Sequence, residues 1–211
     1  MNEQTLLNRI DFPAAEGTPD GDTRDPGDLS GRTATLIGRC LRGEQAAYED
    51  LYDLHSGQIY RLAYSLLGDR EDAEEVLQDS FEYAFRRLDR FDARKSAFRT
   101  WLYRIAVSRC RNKRRRKWLP SLSLTLFDDH EPRDPTAPLP DERAALSERQ
   151  RAVWAAVGAL SPKLREVAIL RYYAGLQYAE IGEVLGIPPK TAESRMRLAH
   201  AALRERLSGM E

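Results

Sequence analysis

The stretch "YAEIGEVLGIPPKTAESRMRLA" runs from Tyr178 to Ala199 and holds two short helical stripes that meet at a glycine. Ile181 and Leu185 lie four apart, one turn of helix, and so share a face. Gly186 then breaks the stripe and supplies a residue tolerant of positive φ. Pro189 suits the first position of a second helix, where a missing N–H costs nothing. Ile187 and Ala192 can close the corner from the other side, and Gly182 leaves room for the second helix to cross the first. The spacing predicts a helix-turn-helix, although a plain helical hairpin with a glycine turn satisfies the same pattern. In a helix-turn-helix the second helix presents Lys190, Thr191, Glu193, Ser194, Arg195 and Arg197 to a major groove.

Upstream, "SPKLREVAILRYYAG" (Ser161–Gly175) predicts another helix, with Ser161 as cap, Pro162 at the first position and Gly175 closing it. A further helix is expected from Asp141 toward Gly158. Residues 119–141 carry Pro120, Pro132, Pro135, Pro138 and Pro140 with no helical period, the composition of a linker. Before the linker, apolar residues recur at helical spacing through Leu36–Leu41, Ala47–Leu67, Ala73–Leu88 and Phe98–Cys110. Gly68 suits a C-terminal cap and Asp69 an N-terminal one, and "FDARKSAF" (Phe91–Phe98) reads as a loop. No strand pattern occurs. The expected fold is all-α: two small helical domains, a four-helix domain at 34–118 and a helix-turn-helix domain at 142–211, joined by a flexible linker at 119–141. Residues 1–33 are rich in proline, glycine and acid and predict a disordered tail.

The chain has 33 basic and 33 acidic side chains, yet they are segregated. Residues 86–117 carry 14 basic and two acidic groups, and residues 35–85 carry four and 11. "RCRNKRRRKW" (Arg109–Trp118) alone holds seven cations. One sign held over such a length is a footprint for a polyanion. Arg111 and the Lys113–Lys117 cluster suit phosphate contacts, whose binding falls with salt. Trp118 is open to two readings, closing the bundle or touching nucleic acid. On the preceding acidic helix, Asp72, Glu75, Gln78, Asp79 and Glu82 share one face.

No apolar run approaches the roughly 18 residues of a membrane span, and no secretory signal opens the chain. Cys40 and Cys110 sit on apolar stripes and predict buried free thiols. His55, His130 and His200 form no ligand-spaced cluster, so no metal and no cofactor is expected. No nucleophile elbow or phosphate loop is present, and no enzyme is expected. A cytoplasmic protein without membrane insertion fits these features.

Residues 34–207 resemble the sigma factors of bacterial RNA polymerase, in the extracytoplasmic-function group. "LLGDREDAEEVLQDSFEYAFRRLDRFD" (Leu66–Asp92) resembles the core-binding part of region 2. "FRTWLYRIAVSRCRNKRRR" (Phe98–Arg116) resembles the segment that reads and melts the −10 element. "ALSPKLREVAILRYYAGLQYAEIGEVLGIPPKTAESRMRLAHAALRERL" (Ala159–Leu207) resembles region 4, which reads the −35 element. The resemblance implies that Asp72, Glu75, Gln78, Asp79 and Glu82 dock on the clamp helices of the largest subunit of core RNA polymerase. It also implies contact with the flap region of the second-largest subunit. Phe91, Arg94, Lys95, Ser96, Arg99, Tyr103, Arg104, Ser108, Arg111, Asn112 and Arg115 are the expected −10 surface, and the second helix of the helix-turn-helix the −35 surface. Promoter DNA, double- and single-stranded, and an anti-sigma factor are the implied partners. The linker is too short to hold the extra domain of larger sigma factors.

The competing class is a stand-alone helix-turn-helix regulator, which accounts for residues 142–207 but leaves the acidic and basic helices without a role. For a sigma factor, promoter elements about 85 Å apart leave roughly 60 Å to span between two domains of about 13 Å radius of gyration, and 23 linker residues reach about 75–80 Å when extended. A compact or heterogeneous free state and an extended bound one are therefore expected.

Overall fold

The computed structural model describes residues 26–118 and 148–208. The linker at 119–141, the tail through residue 25 and the side chain of Trp118 lie outside the described residues. Among those described, the regular elements are all helical. In chain order they are α1 (Pro26–Leu41), α2 (Gln45–Leu67), α3 (Arg70–Arg86), a 3₁₀ turn (Leu88–Arg90), α4 (Phe98–Trp118), α5 (Glu148–Gly158), α6 (Pro162–Tyr172), α7 (Tyr178–Leu185) and α8 (Pro189–Leu207). Helices α1–α4 form the first module and α5–α8 the second, with α4 packed on α7 and α2 on α6.

The punctuation works as its chemistry requires. Gly68 closes α2 at φ 71°, and its N–H donates to the Tyr64 carbonyl. The Asp69 side chain accepts the Asp72 N–H at 2.9 Å, satisfying one orphan donor of α3. Gly57 does not interrupt α2, because Leu51, His55, Ile59 and Leu62 keep one buried stripe running through it. The first helix, however, begins at Pro26, eight residues before the predicted boundary at 34. Proline fits a helix's first turn, and tertiary contact holds what composition alone disfavours: Thr33 is buried and its hydroxyl lies 3.1 Å from His55 Nε2. Cys40 and Cys110 are both buried and free. Burial pushes the Cys110 thiol up to about 12.

His55 stands against the ring of Phe98, with centroids 5.3 Å apart. Burial first, and the nearby Arg99 charge second, lower its pKa from 6.5 to about 4. The unfolded chain therefore binds a proton that the folded one refuses between those values. Stability from the neutral ring is complete above about pH 6.5 and is lost as pH falls toward 4, by roughly 3 kcal/mol in all. His55→Gln is expected to flatten the acid limb of a stability–pH curve measured by urea unfolding. An identical slope in the variant would exclude His55 as its source.

Candidate nucleic-acid interface

The helix-turn-helix forms as its glycines demand. Gly186 ends α7 at φ 68°, and its N–H returns to the Gly182 carbonyl. A Cβ on Gly182 would lie 2.7 Å from the Ile187 carbonyl oxygen, so the crossing admits no side chain there. Ile181, Leu185, Ala192 and Met196 are buried beneath the corner. Gln177 and Glu180 close a reciprocal capping box at the start of α7. On α8, Lys190, Glu193, Ser194 and Arg197 are exposed, while Thr191 and Arg195 are half-buried. Arg197 donates to Ser194 Oγ at 3.3 Å, and Ser194 Oγ to the Lys190 carbonyl at 2.8 Å. These bonds hold three polar residues on one outward ridge. Leu198 stands 61% exposed beside them, an apolar group on a polar face that the periodicity alone did not single out.

In the first module, α3, the 3₁₀ turn and α4 enclose a cleft of about 460 Å³ lined by Tyr83, Arg87, Arg90, Trp101, Arg104, Ser108 and Arg109. Four guanidinium groups and two aromatic rings suit a strand whose bases are unstacked. The Arg109 guanidinium lies 5.2 Å over the Tyr83 ring. Of these residues only Arg104 and Ser108 belong to the −10 surface predicted from sequence. Tyr83, Arg87 and Arg90 lie on the preceding helix and turn, and the bend after α3 is what brings them to α4. Their spacing at i, i+4 and i+7 was the available signal.

Other predicted −10 residues fall differently. Tyr103, expected on the −10 surface, is 4% exposed, with its hydroxyl 3.4 Å from Gln58 Oε1. It is a core residue, because α2 covers the side of α4 that the helical wheel left open. Burial keeps its phenol protonated, raising its pKa. Phe91 is half-buried against Phe98 and Trp101, at centroid distances of 5.3 and 5.4 Å. In the loop, Arg94 pairs with Asp92 at 3.0 Å and Lys95 with the same carboxylate at 3.8 Å. The Arg94 hydrogen bond in turn lowers the Asp92 pKa. Arg99 is half-buried, 5.9 Å from the Tyr103 ring centroid. Asn112 is half-buried and Arg115 exposed. Ser96 and Arg111 contact the second module, Ser96 donating to Glu183 at 3.0 Å and Arg111 pairing with Glu166 at 2.7 Å.

The acidic face of α3 divides in two. Asp72, expected on the docking face, is only 8% exposed and bridges Lys113 at 3.3 Å and Lys117 at 2.5 Å. Glu75 also binds Lys113. Part of the basic run on α4 is thus neutralised within the module, a pairing across 38 or more residues that no local pattern encodes. Burial works against the Lys113 charge, but the hydrogen bond to Glu75 and the Asp72 field outweigh it and raise its pKa. Further along α3, Gln78 and Glu82 are exposed and Asp79 half-buried. Beside that end lies a groove of about 390 Å³ lined by Gln45, Tyr48, Glu49, Tyr52, Asp53 and Phe85.

The first module carries an acidic face beside an aromatic groove and a cationic cleft with two aromatic rings, and the second carries a helix-turn-helix. The family model "Sigma-70 region 2" matches residues 51–119, and "Sigma-70, region 4" matches residues 150–203. The chain is 32% identical over 180 residues to the ECF RNA polymerase sigma factor SigW of Bacillus subtilis (strain 168), covering 81% of this chain and 94% of that one. It is 33% identical over 177 residues to the RNA polymerase sigma-H factor of Pseudomonas aeruginosa, covering 80% and 90%. Among solved structures, CnrH in complex with the cytosolic domain of CnrY matches with a TM-score of 0.62 at 26% identity, over 85% of this chain and 99% of that one. The chain belongs to the extracytoplasmic-function sigma factors of the sigma-70 family. It is a transcription initiation factor that directs RNA polymerase to promoters, not a stand-alone regulator. Among the described residues, no helix is long and apolar enough to cross a membrane.

Proposed function

We propose a division of labour among three surfaces of this sigma factor. The outward ridge of α8 (Lys190, Thr191, Glu193, Ser194, Arg195 and Arg197) reads the −35 element in the major groove. The α3–α4 cleft, with Ser108, Arg104 and the loop at Arg94–Ser96, holds the unstacked strand of the −10 element, while Arg111, Asn112 and Arg115 follow its backbone. The exposed end of α3, with the Tyr48–Tyr52–Phe85 groove, docks on the clamp helices of core polymerase, and the second module meets the flap region. The observation that carries this reading is the joining of four guanidiniums and two aromatic rings in one cleft. Opening a base step costs a few kcal/mol, and stacking returns about 1–3 kcal/mol per base. A cleft offering both rings and cations can therefore hold a melted strand where a single aromatic cannot. The solved relative CnrH binds the cytosolic domain of CnrY, and we extend to this chain an anti-sigma partner of the same kind. Run-off transcription with core polymerase, on templates with either element scrambled, tests the assignment. Loss of product on both altered templates is expected, and equal use of the scrambled −35 template would remove the role given to α8.

The docking face carries its own prediction. Because Asp72 and Glu75 are engaged by α4, charge reversal there would also disturb folding, so the informative sites are Gln78 and Glu82. Gln78→Lys with Glu82→Lys is expected to weaken core binding by about tenfold or more. Melting should shift by only a few degrees, since exposed charges contribute under about 1 kcal/mol. Undiminished capture of core polymerase by the folded variant would place the docking face elsewhere.

A further inference from the structure

The two modules meet through a buried carboxylate. Glu166 on α6 is 3% exposed, and its side-chain carboxylate accepts, among the described residues, from Arg111 and Arg114 of the other module. Arg111 Nη2 donates to its Oε2 at 2.7 Å and Arg114 Nη2 to its Oε1 at 2.5 Å. Arg111 also donates through Nη1 to the Leu185 carbonyl at 3.4 Å, capping the C-terminal end of α7. A second polar contact joins Ser96 of the loop to Glu183 of α7 at 3.0 Å. Arg111 follows the strand backbone in the proposed function, and Arg114 lies in the Lys113–Lys117 cluster whose charge suits phosphate contacts. A planar carboxylate and a phosphate present the same paired acceptors to a guanidinium, so one arginine cannot hold both.

We propose that Glu166 is an internal phosphate mimic: in the free protein it occupies Arg111 and Arg114, and so holds the second module against that stretch of α4 until the modules separate. This inference rests on the proposed role of α4 in binding the −10 strand. The contact is built to be reversible. Arg111 is 40% exposed even when paired, at the rim of the interface, and Arg114 keeps 22% exposure although its Nη1 is buried there without a partner. On opening, Glu166 regains water rather than being stranded in a core, and the arginines gain phosphates. A buried pair inside one domain lacks those alternatives and would be costly to break. The helix-turn-helix ridge on α8 stays exposed in the closed form, so self-inhibition bears on the −10 strand.

The test uses the full chain with Glu166→Gln, which keeps the shape and removes the charge. Fluorophores at Ala46→Cys and Ala201→Cys, both exposed positions, report the distance between modules without DNA. Binding of a labelled mixed-sequence single-stranded 20-mer is then titrated across salt. Releasing two guanidiniums should steepen the salt dependence by about 1.4 and tighten binding about 25-fold at 0.1 M salt, from about 0.7 per phosphate contact. The expected result is a longer distance together with that gain. An unchanged distance overturns the latch, and a longer distance with less than a twofold gain overturns the mimicry. Should the variant not fold by thermal melting, Ser96→Cys with Glu183→Cys joined by a short bismaleimide decides the matter. The cross-linked form must then lose strand binding relative to its own unlinked form, and equal binding sinks the proposal. Failure of wild-type run-off transcription would instead count against the proposed function, since the distance measurement involves no DNA.

Discussion

Gly182→Val is expected to abolish initiation that depends on the −35 element. The Cβ position lies 2.7 Å from the Ile187 carbonyl oxygen and 3.4 Å from the Pro189 nitrogen. Both are backbone atoms at the corner, so neither can rotate aside as a side-chain tip would. Overpacking costs about 1–3 kcal/mol where neighbours can adjust, and here the top of that range applies. A helical module of this size carries only roughly 3–9 kcal/mol in total. Melting of the second module should fall by about 15 °C, with the recognition helix displaced even where the module stays folded. Gly186→Ala is the contrast: nothing lies within 4 Å of its Cβ, and the strain is conformational, at φ +68°. That costs about 1–2 kcal/mol and should leave initiation measurable. Equal activity of Gly182→Val and wild type in run-off assays would show that the corner can reopen.

Reversing Arg90 and Arg104 to glutamate is the second large effect. Both are exposed at the mouth of the α3–α4 cleft, so folding should be disturbed by less than about 1 kcal/mol. Removing a phosphate contact lowers single-strand affinity about fourfold near 0.15 M salt, and reversing the charge adds repulsion of similar size. Two reversals should weaken binding of a single-stranded −10 oligonucleotide on the order of 100-fold. Duplex −35 binding by the helix-turn-helix should be retained. Equal losses on both probes would mean that the arginines act through general charge and not through the cleft.

Local chemistry made much of this protein legible. Gly68, Gly186, Asp69 and Pro189 each act through their own backbone neighbours, so helix ends could be read one residue at a time. The corner at Gly182 was legible because two helices joined by so short a turn must cross. Helical spacing alone identified Ile181, Leu185, Ala192 and the buried Cys110. The segregation of charge pointed to a polyanion partner before any contact was known.

Periodicity fails where a residue's surroundings come from distant chain. Tyr103 was placed outside by the wheel of α4, which cannot know that α2 lies over it. Asp72 falls on the acidic face of α3 by helical spacing, and the sequence does not show that its partners, Lys113 and Lys117, arrive from another helix. Tyr83, Arg87 and Arg90 share a cleft only when the turn before α4 folds them against Arg104 and Arg109. The amino-acid sequence by itself determined the helices, their ends and the sign of charge each carries, since those follow from contacts within a few residues. Only the tertiary structure decided which charges are spent inside the molecule, as at Asp72 and Glu166, and which stay exposed. That choice depends on which helix faces bury one another, and burial is a property of the assembled chain.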